Sequence, residues 1–254
     1  MKIGSQHFRF DEIDSTNRQA LEYANDPSLD GAVFQTRLQT AGRGQHGRSW
    51  QAKSDSAILL SVLLFPPPEL RRPVLLTALA AVSVCETIQQ ATGLIARMKW
   101  PNDILINRKK VCGILIESRT NRDQELAVVC GMGCNLNQTA ADFAAAQLPD
   151  ASSLSIEAGR TFEIEEVTPK LLANLNAHYQ RLLQGDLETL ESRWRERLGL
   201  EAKTVTVEFM NGTSETGYIE RLHFAELEMR DSNGTIRSIR PELVRHLTIL
   251  NPEG

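Results

Sequence analysis

The segment Gly42-Arg43-Gly44-Gln45-His46-Gly47-Arg48-Ser49 sets two guanidinium groups among three glycines. That combination suits a phosphate-bearing ligand, because glycine backbone approaches closely and arginine forks match phosphate oxygens. The segment fits G-x-G-x-x-G, and it misses G-x-x-x-x-G-K-S only through Arg48 in the Lys position. Both motifs need a helix directly after the loop, whose N-terminus holds the anion. Here WQAKSDSAILLSVLL follows and leads to a strand, so neither the dinucleotide nor the NTPase context is met. Residues 36–53 nevertheless hold Arg37, Arg43, Arg48 and Lys53 with no acid. The alternative is a solvated basic loop whose glycines only make turns.

A second cluster, residues 96–110, carries Arg97, Lys99, Arg108, Lys109 and Lys110 against one acid, Asp103. Two basic clusters in an acidic chain point to an anionic ligand. Asn102-Asp103 offers an amide and a hard oxygen of the kind that holds Mg²⁺ beside substrate phosphates; it equally suits a turn whose side chains bond local backbone. Trp100 reads as core. Strand alternation places Lys110 and Cys112 on one face, opposite Lys109 and Val111. Gly131-Met132-Gly133 reads as a turn in a loop, 130–137, that adds close-approach glycines and the amide of Asn135.

The chain that must position these residues has 254 residues, 41% of them apolar, with 28 Lys+Arg, 32 Asp+Glu and a net charge of −4. Length and composition imply a medium domain plus a small one with a sizeable core. An acidic balance argues against a nucleic-acid partner. No signal-peptide run is visible, and no stretch reads as a membrane helix. Cys85, Cys112, Cys130 and Cys134 read as buried reduced thiols without zinc-type spacing. The expectation is a cytoplasmic chain.

The elements follow from period and punctuation. Strands are expected over 8–13, 32–38, 57–65, 94–99, 103–106, 111–117 and 126–130. Helices are expected over about 17–25, 74–91, 163–184 and 186–198, and a loop over 138–152. After Gly199 the pattern turns to short alternating segments with Asn211-Gly212 and Asn233-Gly234 turns, the signature of a small β module. The class is α+β, divided into 1–198 and 199–254.

Taken together, the chain resembles biotin protein ligases. The resemblance rests on Asp14-Ser15-Thr16-Asn17, the run Gln39–Trp50, Lys99-Trp100-Pro101-Asn102-Asp103, Lys110–Glu117 and Gly131-Met132-Gly133-Cys134-Asn135, in that order. It implies a mixed-sheet catalytic domain of the biotin/lipoate ligase type, similar to the class II aminoacyl-tRNA synthetase core, followed by an SH3-like β-barrel. It implies activation of biotin by ATP with Mg²⁺, then transfer to a lysine of a biotin carboxyl carrier domain. Ser15, Thr16, Asn17 and Gln39 would line the ureido pocket. Gly42, Arg43 and Gly44 would close over carboxylate and adenylate. Lys110 would neutralise charge between carboxylate and α-phosphate, and Arg48 would reach the phosphates. Asn102, Asp103 and Asn135 would serve nucleotide and Mg²⁺, while Gly113, Gly131 and Gly133 would admit biotin.

Gln45 stands where many relatives carry Arg, which shifts retention of the adenylate toward Arg43. Strand structure from about Phe8 leaves no room for a winged helix-turn-helix, so no DNA-binding function is expected. Arg240 or Arg245 could complete the ATP site from the small module. A homodimer stays open. The rivals are a lipoate- or octanoate-transferring relative and a non-catalytic nucleotide-binding protein.

Overall fold

A computed structural model describes residues 2–122 and 125–250. Seven strands build the larger sheet: β1 (His7–Ile13), β2 (Val33–Gln39), β3 (Ala57–Leu64), β4 (Arg97–Lys99), β5 (Asp103–Ile106), β6 (Lys109–Thr120) and β7 (Leu126–Asn135). Their order is β1-β2-β3-β7-β6-β5-β4. The β1–β2 pair is parallel and the others are antiparallel, so the sheet is mixed.

Every residue of β3 is buried, as its unbroken AILLSVLL run demands of a strand covered on both faces. One face packs on α2 (Pro73–Thr92), starting with proline in the first turn and ending on left-handed Gly93. Ile58, Leu60, Cys112, Ile114, Cys130 and Met132 belong to this core. The other face carries α1 (Thr16–Glu22), where Ala20, Leu21 and Ala24 meet Phe34, Leu63 and Val129. Short helices α3 (Ala140–Ala145) and α4 (Leu154–Ala158) precede two long ones, α5 (Ile164–Leu183) and α6 (Glu188–Leu198).

Beyond Gly199, which caps α6 in the left-handed region, lies a five-stranded antiparallel sheet. It comprises β8 (Thr204–Phe209), β9 (Ser214–Leu222), β10 (Leu227–Arg230), β11 (Ile236–Ile239) and β12 (Val244–Ile249), in the order β11-β10-β9-β8-β12. This arrangement is consistent with an SH3-like module. The two sheets share one core, in which Trp194 packs on Trp100 and Phe224. Trp100 Nε1 also donates to Val244 O at 3.1 Å. Trp100 is thus a core residue, as expected.

Four expectations are corrected. Gly131–Gly133 is not a turn: β7 runs straight through it to Asn135. The stretch 138–152 contains α3, held by a Thr139–Asp142 capping box. Helix α2 has the length and hydropathy of a membrane span, although 67% of that window is buried in the core. Finally, a β-bulge shifts the register between Ile104–Cys112 and Leu105–Lys110, leaving Val111 as the extra residue. The bulge turns Lys110 onto the Gly113 face and Cys112 onto the α2 face.

Candidate active site

The α1 face of the sheet carries the site, and strand register lays it out in rows. One row runs Leu59–Gly133–Gly113–Asp103–Lys99 across five strands. The next holds Ser61, Gly131 and Leu115, and a third Leu63, Val129 and Glu117. Glycine at three adjacent places on two neighbouring strands makes a bare floor on which Asn17, Trp50 and Lys110 lie, where side chains of the strands themselves would stand perpendicular to the sheet.

At one end of the glycine floor is a cluster of polar side chains. Gln39 Oε1 accepts from Thr16 N at 2.8 Å and lies 3.1 Å from Thr16 Oγ1. Ser61, fully buried, brings its hydroxyl within 2.7 Å of Thr16 Oγ1 and 2.6 Å of Asn17 Oδ1. Asn17 Nδ2 donates to Leu115 O at 3.2 Å and Glu117 Oε2 at 2.8 Å. Ser15 is the buried N-cap of α1, without a side-chain capping bond. A methyl at Gly131 would overlap Asn17 Oδ1 and stand 2.8 Å from Asn17 Cγ. The space at Gly131 therefore belongs to Asn17.

At the other end the Gly-rich segment folds back on itself. Arg43 bridges Ser49, Gly44 N donates to Arg48 O at 2.7 Å, and Trp50 N donates to Gly42 O at 2.9 Å. A single 3-10 turn, Gln45–Gly47, forms the tip, so no helix follows the glycines. Gly42 is required because a Cβ would overlap the Trp50 carbonyl oxygen. The hairpin lays Trp50 on the sheet: a Cβ at Gly133 would be 2.5 Å from Trp50 Cε2, and one at Gly113 3.1 Å from Cζ3. Trp50 Nε1 is buried without a hydrogen-bond partner among the described residues, a donor left for something else to satisfy.

Cations converge on this end. Lys110 Nζ lies 2.5 Å from Asp103 Oδ1 and 5.8 Å from the Trp50 ring centroid. Its backbone is clamped on both sides, donating to Asp150 O and accepting from Ser152 N, each at 2.8 Å. Arg43 Nη2 pairs with Glu117 at 2.9 and 3.0 Å. Lys110, Arg43, Asp103, Gly113, Gly133, Asn17 and Gln39 therefore share one face.

The two remaining amides are tied elsewhere. Asn102 Nδ2 donates to Ile114 O at 2.6 Å, fastening the 100–103 turn to β6. Asn135 donates to Ser152 O and accepts from Gln138 Nε2, pinning the segment after β7. For Mg²⁺, Asp103 offers one hard oxygen set, with one oxygen already on Lys110. No cluster of three or more His, Cys, Asp or Glu occurs among the described residues. That donor set fits an ion held mainly by substrate phosphates and water, not a resident metal.

From the C-terminal sheet, Arg240 lines a cavity of about 400 Å³ with Arg72, Phe224 and Glu242, and Arg245 pairs with Glu208 at 3.3 Å. His246, on β12, is half-buried. Burial lowers its pKa, and Arg245, Arg48 and Lys99 lower it further against Glu208. Sequence reasoning missed His246, Trp50's seat on the glycines, and Ser61. Ser61 had a signal: it is the lone polar residue in an eight-residue apolar strand.

The site is thus a glycine floor with buried amides and hydroxyls at one end and the cations Lys110 and Arg43 at the other. The sequence profile of the biotin/lipoate A/B protein ligase family matches residues 10–135. A biotin–[acetyl-CoA-carboxylase] ligase of Paracoccus denitrificans is 36% identical over 176 residues, covering 67% of this chain and 71% of that one. The bifunctional ligase/repressor BirA of Bacillus subtilis is 33% identical over 214 residues, 84% of this chain; the chain spans 66% of that relative's length. A solved biotin protein ligase from Aquifex aeolicus, in complex with biotin and ATP, superposes with a TM-score of 0.80. It covers 97% of this chain and all of its own at 22% identity, a likeness of fold. The chain belongs to the biotin/lipoate A/B protein ligase family.

Proposed function

We propose that the protein joins biotin to ATP as biotinyl-5′-AMP, releasing pyrophosphate, and then transfers the biotinyl group to a lysine of a biotin carboxyl carrier domain. The observation that carries this reading is the single sheet face shared by the Thr16–Asn17–Gln39–Ser61 polar cluster and by Lys110 and Arg43, together with relatives named for biotin and acetyl-CoA carboxylase. A cyclic urea needs amide and hydroxyl partners at one end. Its carboxylate, 5 carbons away on a valeryl chain, needs cations at the other, since it must approach a polyanion. The first step forms a bond from carboxylate oxygen to the α-phosphorus and breaks the bond to pyrophosphate. The second forms an amide from the carrier amine and expels AMP.

In this reading Asn17 and Trp50, both seated on glycines, touch the biotin. Lys110 and Arg43 flank the acyl phosphate. Arg48 and His246 face the leaving pyrophosphate. Asp103 would supply a carboxylate oxygen to Mg²⁺ held beside the nucleotide phosphates, leaving Lys110 to pair with the phosphate. Residues 1–198 carry the site, and 199–254 pack beside it through the Trp100–Val244 contact. A chain with ATP as substrate and four buried free thiols is at home in the cytoplasm.

The test is incubation with ATP, Mg²⁺, biotin and a carrier domain, read by mass, with pyrophosphate exchange for the first step. Lys110→Ala should lower adenylate formation about 10²–10³-fold with the fold intact. Exchange driven by lipoate and not biotin would overturn the substrate.

A further inference from the structure

We infer that Glu117 is the positioning residue that joins the two ends of the site, an inference that rests on the ligase reading above. Glu117 stands on β6 in the row beside Gly131, and its side chain is only 24% exposed. A carboxylate so placed must be partnered. It takes two partners from distant parts of the chain: Asn17 Nδ2 at 2.8 Å, from the amide pocket, and Arg43 Nη2 at 2.9 and 3.0 Å, from the Gly-rich hairpin.

The arrangement has a consequence for each partner. Asn17 is fixed in one rotamer, with Ser61 at its oxygen and Glu117 and Leu115 O at its nitrogen. Arg43 spends one nitrogen on Glu117, which leaves Nε and Nη1 to face the substrate's acyl phosphate. The Arg43 side chain is 48% exposed, so this contact contributes little as an ion pair. Its contribution is placement: it holds a long, otherwise mobile side chain at the edge of the pocket before substrate arrives. Glu117 acts through Arg43 on the rate and through Asn17 on biotin binding.

Glu117→Gln separates these roles, because the glutamine oxygen still accepts from Asn17 while an amide nitrogen, which cannot accept, replaces the oxygen 2.9 Å from Arg43 Nη2. In pyrophosphate exchange, E117Q should lose about tenfold in kcat, about 1.4 kcal/mol. Biotin affinity, measured by calorimetry without ATP, should stay within about threefold. In an Arg43→Ala background, E117Q should cost less than about twofold, since its route of action is already absent. Glu117→Ala should weaken biotin binding about tenfold as well. A wild-type kcat in E117Q, an undiminished loss in the Arg43→Ala background, or lost biotin affinity with unchanged kcat would each overturn the inference.

A second measurement needs no substrate. Arg43 and Arg48 are trypsin sites, and Glu117 holds the Arg43 side chain away from the protease. Cleavage of the native loop should be about two- to threefold faster in E117Q than in wild type; equal rates would refute the tether. Wild-type protein with no biotin-dependent exchange would sink the ligase reading while leaving the tether result standing.

Discussion

Gly131 and Gly133 are two residues apart on the same strand and the same face, yet alanine at each should do different damage. At Gly131 the new methyl overlaps Asn17 Oδ1 and lies 2.8 Å from its Cγ. Asn17 cannot yield without giving up contacts to Ser61, Leu115 O and Glu117. Overpacking costs about 1–3 kcal/mol, and the loss of one or two of those hydrogen bonds adds about 0.5–1.5 kcal/mol each. The sum is about 1.5–6 kcal/mol. At about 2–4 °C per kcal/mol for a chain of this size, the melting temperature should fall by about 3–24 °C.

At Gly133 the methyl meets the Trp50 ring, 2.5 Å from Cε2 and 2.8 Å from Cζ2. That ring belongs to a hairpin held mainly by its own backbone bonds, and it can lift off as a unit. G133A should therefore melt within about 4 °C of wild type while adenylate formation falls about 10²-fold through misplacement of Arg43. Alanine is intrinsically better than glycine within a strand by about 0.5–1 kcal/mol, so propensity cannot produce either loss. Differential scanning calorimetry and pyrophosphate exchange on both variants decide it. If G133A melts below G131A, or G131A melts with wild type and binds biotin normally, the packing argument is wrong.

Trp100→Phe keeps an aromatic ring against Trp194 but leaves the buried Val244 carbonyl without its donor; calorimetry should show a loss of about 1–3 kcal/mol. Burial pushes the Cys85 and Cys130 thiols up to about 12, and Cys112 is raised by its thiol–thiol hydrogen bond with Cys134 and by burial. A thiol reagent at pH 8 should thus label native protein only as fast as it unfolds, and four thiols in denaturant; prompt native labelling would contradict this. Burial lowers the pKa of His246 and of His7, aided by Arg9 at His7. A folded-state pKa below 6.5 gives stability that is complete above that value and lost as pH falls from it toward the folded-state pKa. The melting temperature should decline on acidification below about pH 6.5, less steeply in His246→Gln, and equal slopes would count against the stated surroundings of His246.

The parts of this molecule that were legible in its sequence are those set by local pattern. The core strand over 57–64, helix α2 between its proline and glycine, and the shift of period after Gly199 each follow from short-range rules. So does the absence of a helix after Gly42–Arg48, since WQAKSD carries no helical apolar spacing. What failed were features decided across the sheet. Glycines at 131 and 133 suggest a turn locally, but Asn17 and Trp50, far off in the chain, need their missing side chains. The bulge at Val111 has no local mark, and it reversed the face expected of Cys112 relative to Lys110. Helix α3 was legible and overlooked: Thr139 and Asp142 have the spacing of a capping box. Of the site, the residue types were legible through their motifs, whereas Glu117's double contact and His246's approach depend on strand register and on how β12 meets the larger sheet.

That register also explains how β6 and β7 tolerate a glycine floor. Three glycines in strand interiors cost about 0.5–1 kcal/mol each relative to alanine and contribute no packing on the site face. Strand alternation places Cys112, Ile114, Cys130, Met132 and Cys134 on the opposite face, all in the core built on α2. Burying such side chains contributes about 1.5–3 kcal/mol for each large one, enough to offset the glycines without any help from the site. The bulge is what makes this division compatible with catalysis. Without it, Lys110 would follow Cys112 into the apolar core built on α2, where burial penalises an ammonium group. With it, Lys110 comes out beside Asp103 and Trp50, and the strand that anchors the fold on one face delivers the reacting cation on the other.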